Sequence, residues 1–272
     1  MRSPARPPFL NQVPLFPQLC LLCYLLALPA RATAEHFYFV QITDSHFGSD
    51  DNLERGRRVV ERVNQLPMPV EFVVHTGDIL ADLILDPKVV DQTLEVMNGF
   101  QPPLYYIPGN HDIHQENSDQ ALAVYRERFG PLVRVEEIGG VVAIFLYVEP
   151  AARDWPVIPG FDPLAELEQA LARAGDRPVL LFQHTPPVGG FFRNKLQRGW
   201  DEAQRRRWED LVSRHPVKGV FTGHYHKDEL HWLGKTPIFV AAPIAGYWGR
   251  QTSFRLYEYR DGVISYRTLY LE

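Results

Sequence analysis

The chain has 272 residues, of which 45% are apolar and 22% are charged, and its formal net charge at pH 7 is −5. These fractions are those of an ordinary globular protein, so they argue against a largely disordered chain and against a protein with many membrane spans. The acidic balance argues against a nucleic-acid scaffold, which would carry a basic surface. It leaves a phosphate substrate open, because metal ions can supply positive charge locally.

Residues 1–34 have the composition of an export signal. Arg2 and Arg6 precede the apolar stretch LCLLCYLLAL (19–28), and the small residues ATA (32–34) offer a site for cleavage. The apolar stretch is short for a membrane span. We therefore expect a cleaved signal peptide and an exported protein, either periplasmic or secreted. An uncleaved signal would instead anchor the chain in a membrane.

Cleavage would remove both cysteines, Cys20 and Cys23, whose C-x-x-C spacing lies in a targeting helix and does not indicate a redox motif. It would also remove three arginines and no acidic residue. Residues 35–272 would then carry 25 basic and 33 acidic side chains, a net charge of −8. We expect this mature region to form a single domain with no stable membrane span. The sequence does not indicate its oligomeric state.

The remaining chain alternates apolar, strand-like runs with segments of helical spacing. Helices are predicted at 52–66, 86–100, 118–130, 162–175 and 201–215. Strands are predicted at 36–43, 70–76, 103–108, 132–138, 141–148, 177–187, 217–226, 228–234, 236–243, 252–259 and 263–271. Two glycines between the fourth and fifth strands indicate a hairpin. This order predicts an α/β architecture, in which ligands bind at the carboxyl ends of the strands.

Five of the predicted strands end at residues that are able to ligate a metal. These ends are Asp44-Ser45-His46, Gly77-Asp78, Gly109-Asn110-His111-Asp112, His184 and Gly223-His224-Tyr225-His226. Each one alone has a local explanation, because Asp and Asn are common turn formers and a histidine near a strand end is usually a satisfied polar residue. Their joint occurrence indicates a metal site. Its oxygen and nitrogen donors suit ions such as manganese, iron, zinc or cobalt.

The spacing of these residues suits two ions. Asp44 and His46 are two apart on extended chain, as are His224 and His226, so both members of each pair can turn to one side. Asp78 has two carboxylate oxygens and can bridge two ions. Ions about 3.5–4 Å apart can clamp both the attacking and the leaving oxygen of a phosphoryl displacement.

The ordered set D-x-H, GD, GNHD, H and GHxH, here spread over residues 44–226, resembles the calcineurin-like metallophosphoesterase superfamily. The spacing is most similar to its branch of class III cyclic nucleotide phosphodiesterases and glycerophosphodiesterases. The resemblance implies a sandwich of two mixed β-sheets flanked by α-helices, with two divalent or mixed-valence transition-metal ions (Fe, Mn, Zn or Co) at one edge. The implied activity is hydrolysis of a phosphodiester or phosphomonoester of a small molecule by a metal-bound hydroxide.

The resemblance also implies individual roles. The first ion would be held by Asp44, His46, Asp78 and His226, and the second by Asp78, Asn110, His184 and His224. His111 would contact the phosphate and protonate the leaving oxygen, and Asp112 would orient His111. Many relatives have a second histidine where this chain has Thr185. A first motif that ends in His46, rather than a later tyrosine ligand, argues against the purple acid phosphatase subtype.

An alternative is a catalytically weak metal-binding scaffold or interaction module, since a fold does not fix a function. The presence of both His111 and Asp112 favours the enzyme.

Substrate contacts are less well indicated. His114 follows the GNHD motif and is a candidate, as are Phe191, Phe192 and Arg193 in the long connection 189–200. Plain packing explains those aromatic residues equally well. The segment GYWGR (246–250) is a similar candidate, and His75 is expected to pack or to hydrogen-bond near its strand end.

Overall fold

Two β-sheets stacked face to face form the centre of the protein. The structure, a computed structural model, describes residues 35–153, 156–188 and 200–271. The predicted signal segment, 1–34, lies outside these ranges. The strands are β1 (His36–Ile42), β2 (Val70–His75), β3 (Leu104–Tyr106), β4 (Val133–Ile138), β5 (Val141–Leu146), β6 (Val179–Phe182), β7 (Val217–Thr222), β8 (Glu229–Leu233), β9 (Thr236–Val240), β10 (Thr252–Arg260) and β11 (Val263–Leu271).

Each sheet combines a run of parallel strands with antiparallel neighbours. The first has the order β11-β10-β1-β2-β3 and the second the order β4-β5-β6-β7-β9-β8. Strands β1 to β3 are parallel, and so are β5, β6, β7 and β9. The predicted hairpin is confirmed, because β4 and β5 pair antiparallel across Gly139 and Gly140. Both glycines have positive φ, as a two-residue hairpin turn requires.

Six α-helices connect the strands of the described ranges. They are α1 (Asn52–Asn64), α2 (Pro87–Met97), α3 (Ser118–Arg128), α4 (Glu149–Arg153), α5 (Pro163–Ala174) and α6 (Glu202–Ser213). Asp86, Asp162 and Asp201 precede α2, α5 and α6 and accept N–H groups of the first turn. The sequence did not predict α4, because five residues are too few to show a helical period. None of these helices is long and apolar enough to cross a bilayer.

The helices cover the outer faces of both sheets, so the protein has four layers. Val59 of α1 and Val90 of α2 belong to one buried core with Val40 of β1. Leu167 of α5 and Trp208 of α6 belong to a second core over β5 to β7. The predicted fold class, an α/β sandwich of two mixed sheets flanked by helices, is confirmed.

A buried aromatic layer holds the two sheets against each other. Phe39 of β1 stacks on Phe72 of β2 at 5.0 Å and meets Phe221 of β7 edge to face at 5.1 Å. Phe182 of β6 in turn stacks on Phe221 at 4.7 Å. Each such side chain contributes about 1.5–3 kcal/mol by burial, and well-oriented ring pairs add about 0.5–1.5 kcal/mol. This layer therefore fixes the strand ends of one sheet relative to those of the other.

A buried glutamine ties the two sheets together beside those strand ends. Gln41 is fully buried, and its Nε2 donates to Thr76 Oγ1 at 2.9 Å and to the Thr222 carbonyl at 3.0 Å. Its Oε1 accepts from the Tyr257 hydroxyl at 2.8 Å. Thr76 directly follows β2 and Thr222 ends β7, so one side chain fixes the carboxyl ends of strands from both sheets.

Candidate metal centre

The loops that follow β1, β2, β6 and β7 bring the predicted ligands together at one edge of the sandwich. Their ligand atoms form two groups, each with all members within 4.8 Å of one another. The first group consists of Asp44, His46, Asp78 and His226, and the second of Asp78, His184 and His224. All of these residues are buried except His224, which is half-buried. The two groups contain the aspartates and histidines predicted for the first and the second ion, respectively.

Asp78 is common to both groups. Its Oδ2 lies 3.1 Å from His184 Nε2 and 3.8 Å from His46 Nε2. Its Oδ1 accepts the backbone N–H of His111 at 2.8 Å. A carboxylate whose outer oxygen faces histidines of both groups has the position required of a bridging ligand.

The first group converges on one point. His226 Nε2 lies 3.2 Å from Asp44 Oδ1 and 3.2 Å from His46 Nε2. Two imidazole nitrogens and a carboxylate oxygen at such distances can surround one ion with little movement.

The hydrogen bonds of His184 show that the second group fits a cation. Its Nδ1 lies 2.7 Å from the Thr76 carbonyl, which can only accept, so Nδ1 carries the hydrogen. The other nitrogen, Nε2, is buried, makes no hydrogen bond to the described residues and faces the Asp78 carboxylate. A lone pair and a carboxylate oxygen so close together need a positive charge between them. Burial opposes a proton there, but Asp78 outweighs it and raises the His184 pKa to about 10.

The surrounding charges keep the carboxylates ionised. Burial alone would raise the Asp44 pKa, but the charge and hydrogen bond of His226 lower it to about 2. The Asp78 pKa is likewise held well below its usual range against burial, mainly by His184. Burial lowers the His46 pKa to about 4, which favours its neutral, ligand-competent form. Asp44, Asp78 and His46 therefore have the protonation state that metal binding requires, whereas His184 would release its Nε2 proton when an ion binds.

Backbone strain is concentrated at these same residues. Asp44, His46, Asp78, His224 and His226 all have positive φ, between 44° and 69°. Residues other than glycine rarely adopt this region, and it costs about 1–3 kcal/mol at each position. Such strain persists only where the surroundings enforce it, and it is typical of functional sites.

Two glycines are required because ligand side chains pass over them. A Cβ on Gly109 would lie 2.2 Å from Asp78 Oδ1, and one on Gly223 would lie 2.5 Å from Asp44 Oδ2. Asn110, the predicted amide ligand, follows Gly109 directly and is buried. Its role as a ligand stays a prediction.

His111 lies at the open side of the two groups. Its ring is 4.9 Å from the His46 ring, and it lines a cavity of ≈ 260 Å³ together with ligands of both groups. Its Nδ1 lies 2.6 Å from Asp82 Oδ1. Burial disfavours the charged ring, but the carboxylates of Asp78 and Asp82 outweigh it and raise the His111 pKa.

The structure corrects the role expected of Asp112. Its carboxylate is fully buried and accepts the backbone N–H groups of Ile79, Leu80 and Gly109 at 3.1, 2.9 and 2.8 Å. Asp112 therefore joins the loop after β2 to the loop after β3, and it does not orient the His111 ring. The side chains of His111 and Asp112, although adjacent in the chain, therefore point in different directions.

Asp82 takes the place expected of Asp112, and the sequence did not single it out. It lies within the apolar run ILADLIL (79–85), away from any strand end. The signal available in the sequence was an acidic residue inside an otherwise apolar run; in the structure, Asp82 has a positive φ of 62°. The same Oδ1 lies 2.6 Å from His114 Nε2, so His114 contacts the carboxylate that holds His111. His114 and Asp82 also line a neighbouring cavity of ≈ 410 Å³.

His75 and Thr185 are buried next to the loops that carry the ligands, and both hydrogen-bond to neighbouring residues. His75 Nδ1 accepts the Gly77 N–H at 3.3 Å, and its Nε2 contacts Ser45 Oγ at 2.7 Å, as expected of a packed, hydrogen-bonded residue. Burial lowers its pKa to about 3, so it is neutral. Thr185 is 1% exposed, and its backbone N–H donates to Glu149.

The segment 246–250 reaches the ≈ 260 Å³ cavity that His111 lines together with the metal ligands, called the catalytic cavity below. Tyr247 and Trp248 line it, and the Tyr247 ring lies 5.0 Å from the His46 ring. Phe191, Phe192 and Arg193 fall outside the described residues, and their substrate contacts stay predictions.

Comparisons with known proteins establish the family of this chain. The family model for calcineurin-like phosphoesterases matches residues 37–228. A protein of Rhodopseudomonas palustris named as a probable cyclic nucleotide phosphodiesterase is 31% identical over 230 residues, 77% of this chain and 73% of that one. The serine/threonine-protein phosphatase CPPED1 of Danio rerio is 26% identical over 224 residues, 71% of each chain. A solved dimetal phosphatase from Danio rerio has a similar fold, with a TM-score of 0.57 and 14% identity over 87% of this chain and 99% of that one. The chain therefore belongs to the calcineurin-like phosphoesterase family.

Proposed function

We propose that this protein hydrolyses a small phosphoester with two transition-metal ions. The observation that carries the proposal is the position of Asp78, whose Oδ2 faces a histidine of each ligand group. Two bound ions supply Lewis acidity toward the phosphate and make water acidic enough to yield a nucleophile at neutral pH. All seven proposed ligands are oxygen or nitrogen donors, which suits Mn, Fe, Zn or Co.

The ligands divide between the two proposed ions as the loops present them. Asp44, His46 and His226 would hold the first ion. Asn110, His184 and His224 would hold the second. The Asp78 carboxylate would be shared.

His111 is proposed to donate a proton to the leaving oxygen. Its Nδ1 is held by Asp82 at 2.6 Å, which leaves Nε2 as the nitrogen available to substrate. The negative charges of Asp78 and Asp82 raise its pKa and favour the protonated ring. A group of this kind contributes about 10²–10⁴ to a rate.

Metal-dependent turnover tests the proposal. The protein is stripped of metal, reloaded with Mn²⁺, Fe²⁺, Zn²⁺ or Co²⁺, and assayed with bis-p-nitrophenyl phosphate and p-nitrophenyl phosphate. We expect activity only with metal, about two ions per chain by elemental analysis, and a loss of about a hundredfold or more in Asp78→Asn. Asp176→Asn, at an exposed carboxylate in the turn after α5, is the matched control and should keep full activity.

Equal activity of the wild type and Asp78→Asn would refute the proposal. Full metal loading without turnover of either ester would support the alternative, a metal-binding scaffold. The ratio of the two rates would establish whether diesters or monoesters are preferred.

We also propose that the protein is exported, on the strength of the signal-like composition of residues 1–34. Mass spectrometry of protein recovered from the periplasm or the medium should give a mature N-terminus at Glu35. Recovery of the intact chain from the membrane fraction would indicate an uncleaved anchor, and recovery from the cytosol would contradict export.

A further inference from the structure

An exposed tryptophan stands at the mouth of the catalytic cavity. We propose that Trp248 is the surface on which a planar aromatic group of the phosphoester substrate stacks, so that the enzyme favours phosphoesters carrying a nucleobase or aryl ring. This inference rests on the proposed function and adds a substrate class to it.

Core packing does not explain Trp248. Its side chain is 79% exposed, although an indole is among the largest apolar groups available for burial. Its backbone has φ 57° and ψ 30°, a left-handed conformation that is unfavourable for a bulky residue. A strained and exposed aromatic side chain is a strong indication of a binding role, because stability gains nothing from it.

The position of Trp248 relative to the metal ligands suits contact with a phosphoester. Its ring centroid lies 5.1 Å from that of His226, and both side chains line the same cavity. The Tyr247 ring lies nearly parallel to the His226 ring, with their centroids 6.0 Å apart, and its centroid is also 6.0 Å from that of Trp248. A phosphate held beside His226 would place its ester group next to the indole.

The loop that carries Trp248 is fixed to the metal-binding loop. The buried Asn52 side chain donates to the His46 carbonyl at 3.0 Å and accepts the Gly246 N–H at 3.3 Å. The Ala245 N–H donates to the Asp44 carbonyl at 3.1 Å. Gly246 packs so closely on Arg55 that a Cβ there would lie 2.5 Å from the guanidinium carbon. The backbone next to Trp248 is thus held relative to the ligands, so little backbone entropy is lost when a ring stacks on the indole.

The indole also has space beside it. A second depression of ≈ 500 Å³, lined in part by Asp228, Arg250 and Tyr270, shares Trp248 with the catalytic cavity. A ring the size of a nucleobase can therefore lie over the indole without displacing the protein.

The test compares two phosphates that differ only by a base. Binding of adenosine 5′-monophosphate and ribose 5-phosphate to the Mn²⁺-loaded protein is measured by calorimetry at low temperature. We expect the wild type to bind the nucleotide about ten- to a hundredfold more tightly than the sugar phosphate. Trp248→Ala should abolish that preference by weakening nucleotide binding far more than ribose 5-phosphate binding, and Trp248→Phe should retain part of it.

Trp232 provides the matched control, because it is 62% exposed on β8 and does not line the catalytic cavity. Trp232→Ala should leave both affinities unchanged. Quenching of tryptophan fluorescence by the nucleotide should persist in Trp232→Phe and disappear in Trp248→Phe. Phenyl phosphate, compared with methyl phosphate, shows whether a simple aryl ring suffices or a nucleobase is needed.

The outcomes separate this inference from the proposed function. If ribose 5-phosphate binds but the nucleotide gains nothing over it, or if Trp248→Ala keeps the preference, the role of Trp248 is refuted while the phosphate site stands. If ribose 5-phosphate does not bind the metal-loaded protein at all, the phosphate site fails and the inference fails with it.

Discussion

Asp82 Oδ1 lies 2.6 Å from His111 Nδ1, although the two residues are 29 positions apart in the chain. The carboxylate fixes the tautomer and the direction of the imidazole, as carboxylates do for histidines in many active sites. Asp82 is therefore a positioning residue for the proposed proton donor.

Asp82→Asn should lower kcat by about 10- to 100-fold with little change in KM or in metal content. The loss should be greater for an ester with a poor alkyl leaving group than for a p-nitrophenyl ester, because only the poor leaving group depends on a proton. Steady-state kinetics with both esters measure it, with Asp176→Asn as the control. An equal loss on both esters would show that Asp82 acts by another route.

Asn110→Ala and His111→Ala should have different effects despite being neighbours. Loss of a proposed ligand should weaken metal binding, whereas loss of the proposed proton donor should slow turnover by about 10²–10⁴ at full metal occupancy. Elemental analysis after dialysis and kcat at saturating metal distinguish them. Full occupancy in Asn110→Ala would remove Asn110 from the ligand set.

Asp112→Asn should chiefly destabilise the fold. One oxygen of the carboxylate would become an amide group facing backbone N–H donors, and an unsatisfied buried group costs about 1–3 kcal/mol. Urea unfolding measures this change in the free energy of unfolding. Unchanged stability together with a selective loss of kcat would restore the catalytic role first expected of Asp112.

Metal removal should lower the melting temperature. The buried carboxylates Asp44 and Asp78 repel each other, and an ion that binds only the folded state stabilises it by about 2.7 kcal/mol at a concentration one hundred times its Kd. Thermal unfolding with and without chelator should show the shift in the wild type. Asp78→Asn should lose most of it, and an equal shift in that variant would mean that the metal binds elsewhere.

Trp248→Gly should abolish the preference for aromatic phosphoesters with little change in stability. Glycine adopts positive φ without strain, and the indole it removes is exposed. The free energy of unfolding should therefore fall by no more than about 1 kcal/mol, and relief of the strain can raise it. A loss of 2 kcal/mol or more in urea unfolding would show that the side chain packs in the fold.

The sequence predicted those features that depend on strand ends. The apolar runs gave the strands, and the residues after them, such as Asp44 and His184, met because carboxyl ends of parallel strands share an edge. The sequence did not predict Asp82, because this residue reaches the site through a strained loop and not from a strand end. Asp112 was given the wrong partner because adjacency in sequence says nothing about where two side chains point across a tight turn. Asn52 and Gly246 likewise meet only through tertiary packing.

The proposed ligands come from both halves of the sandwich. Asp44 and Asp78 follow β1 and β2 of the first sheet, whereas His184 and His226 follow β6 and β7 of the second. An ion held by Asp44 and His226 would cross-link the two sheets. Its escape would require these loops to separate, so the rate of metal exchange would report how often this edge of the sandwich opens.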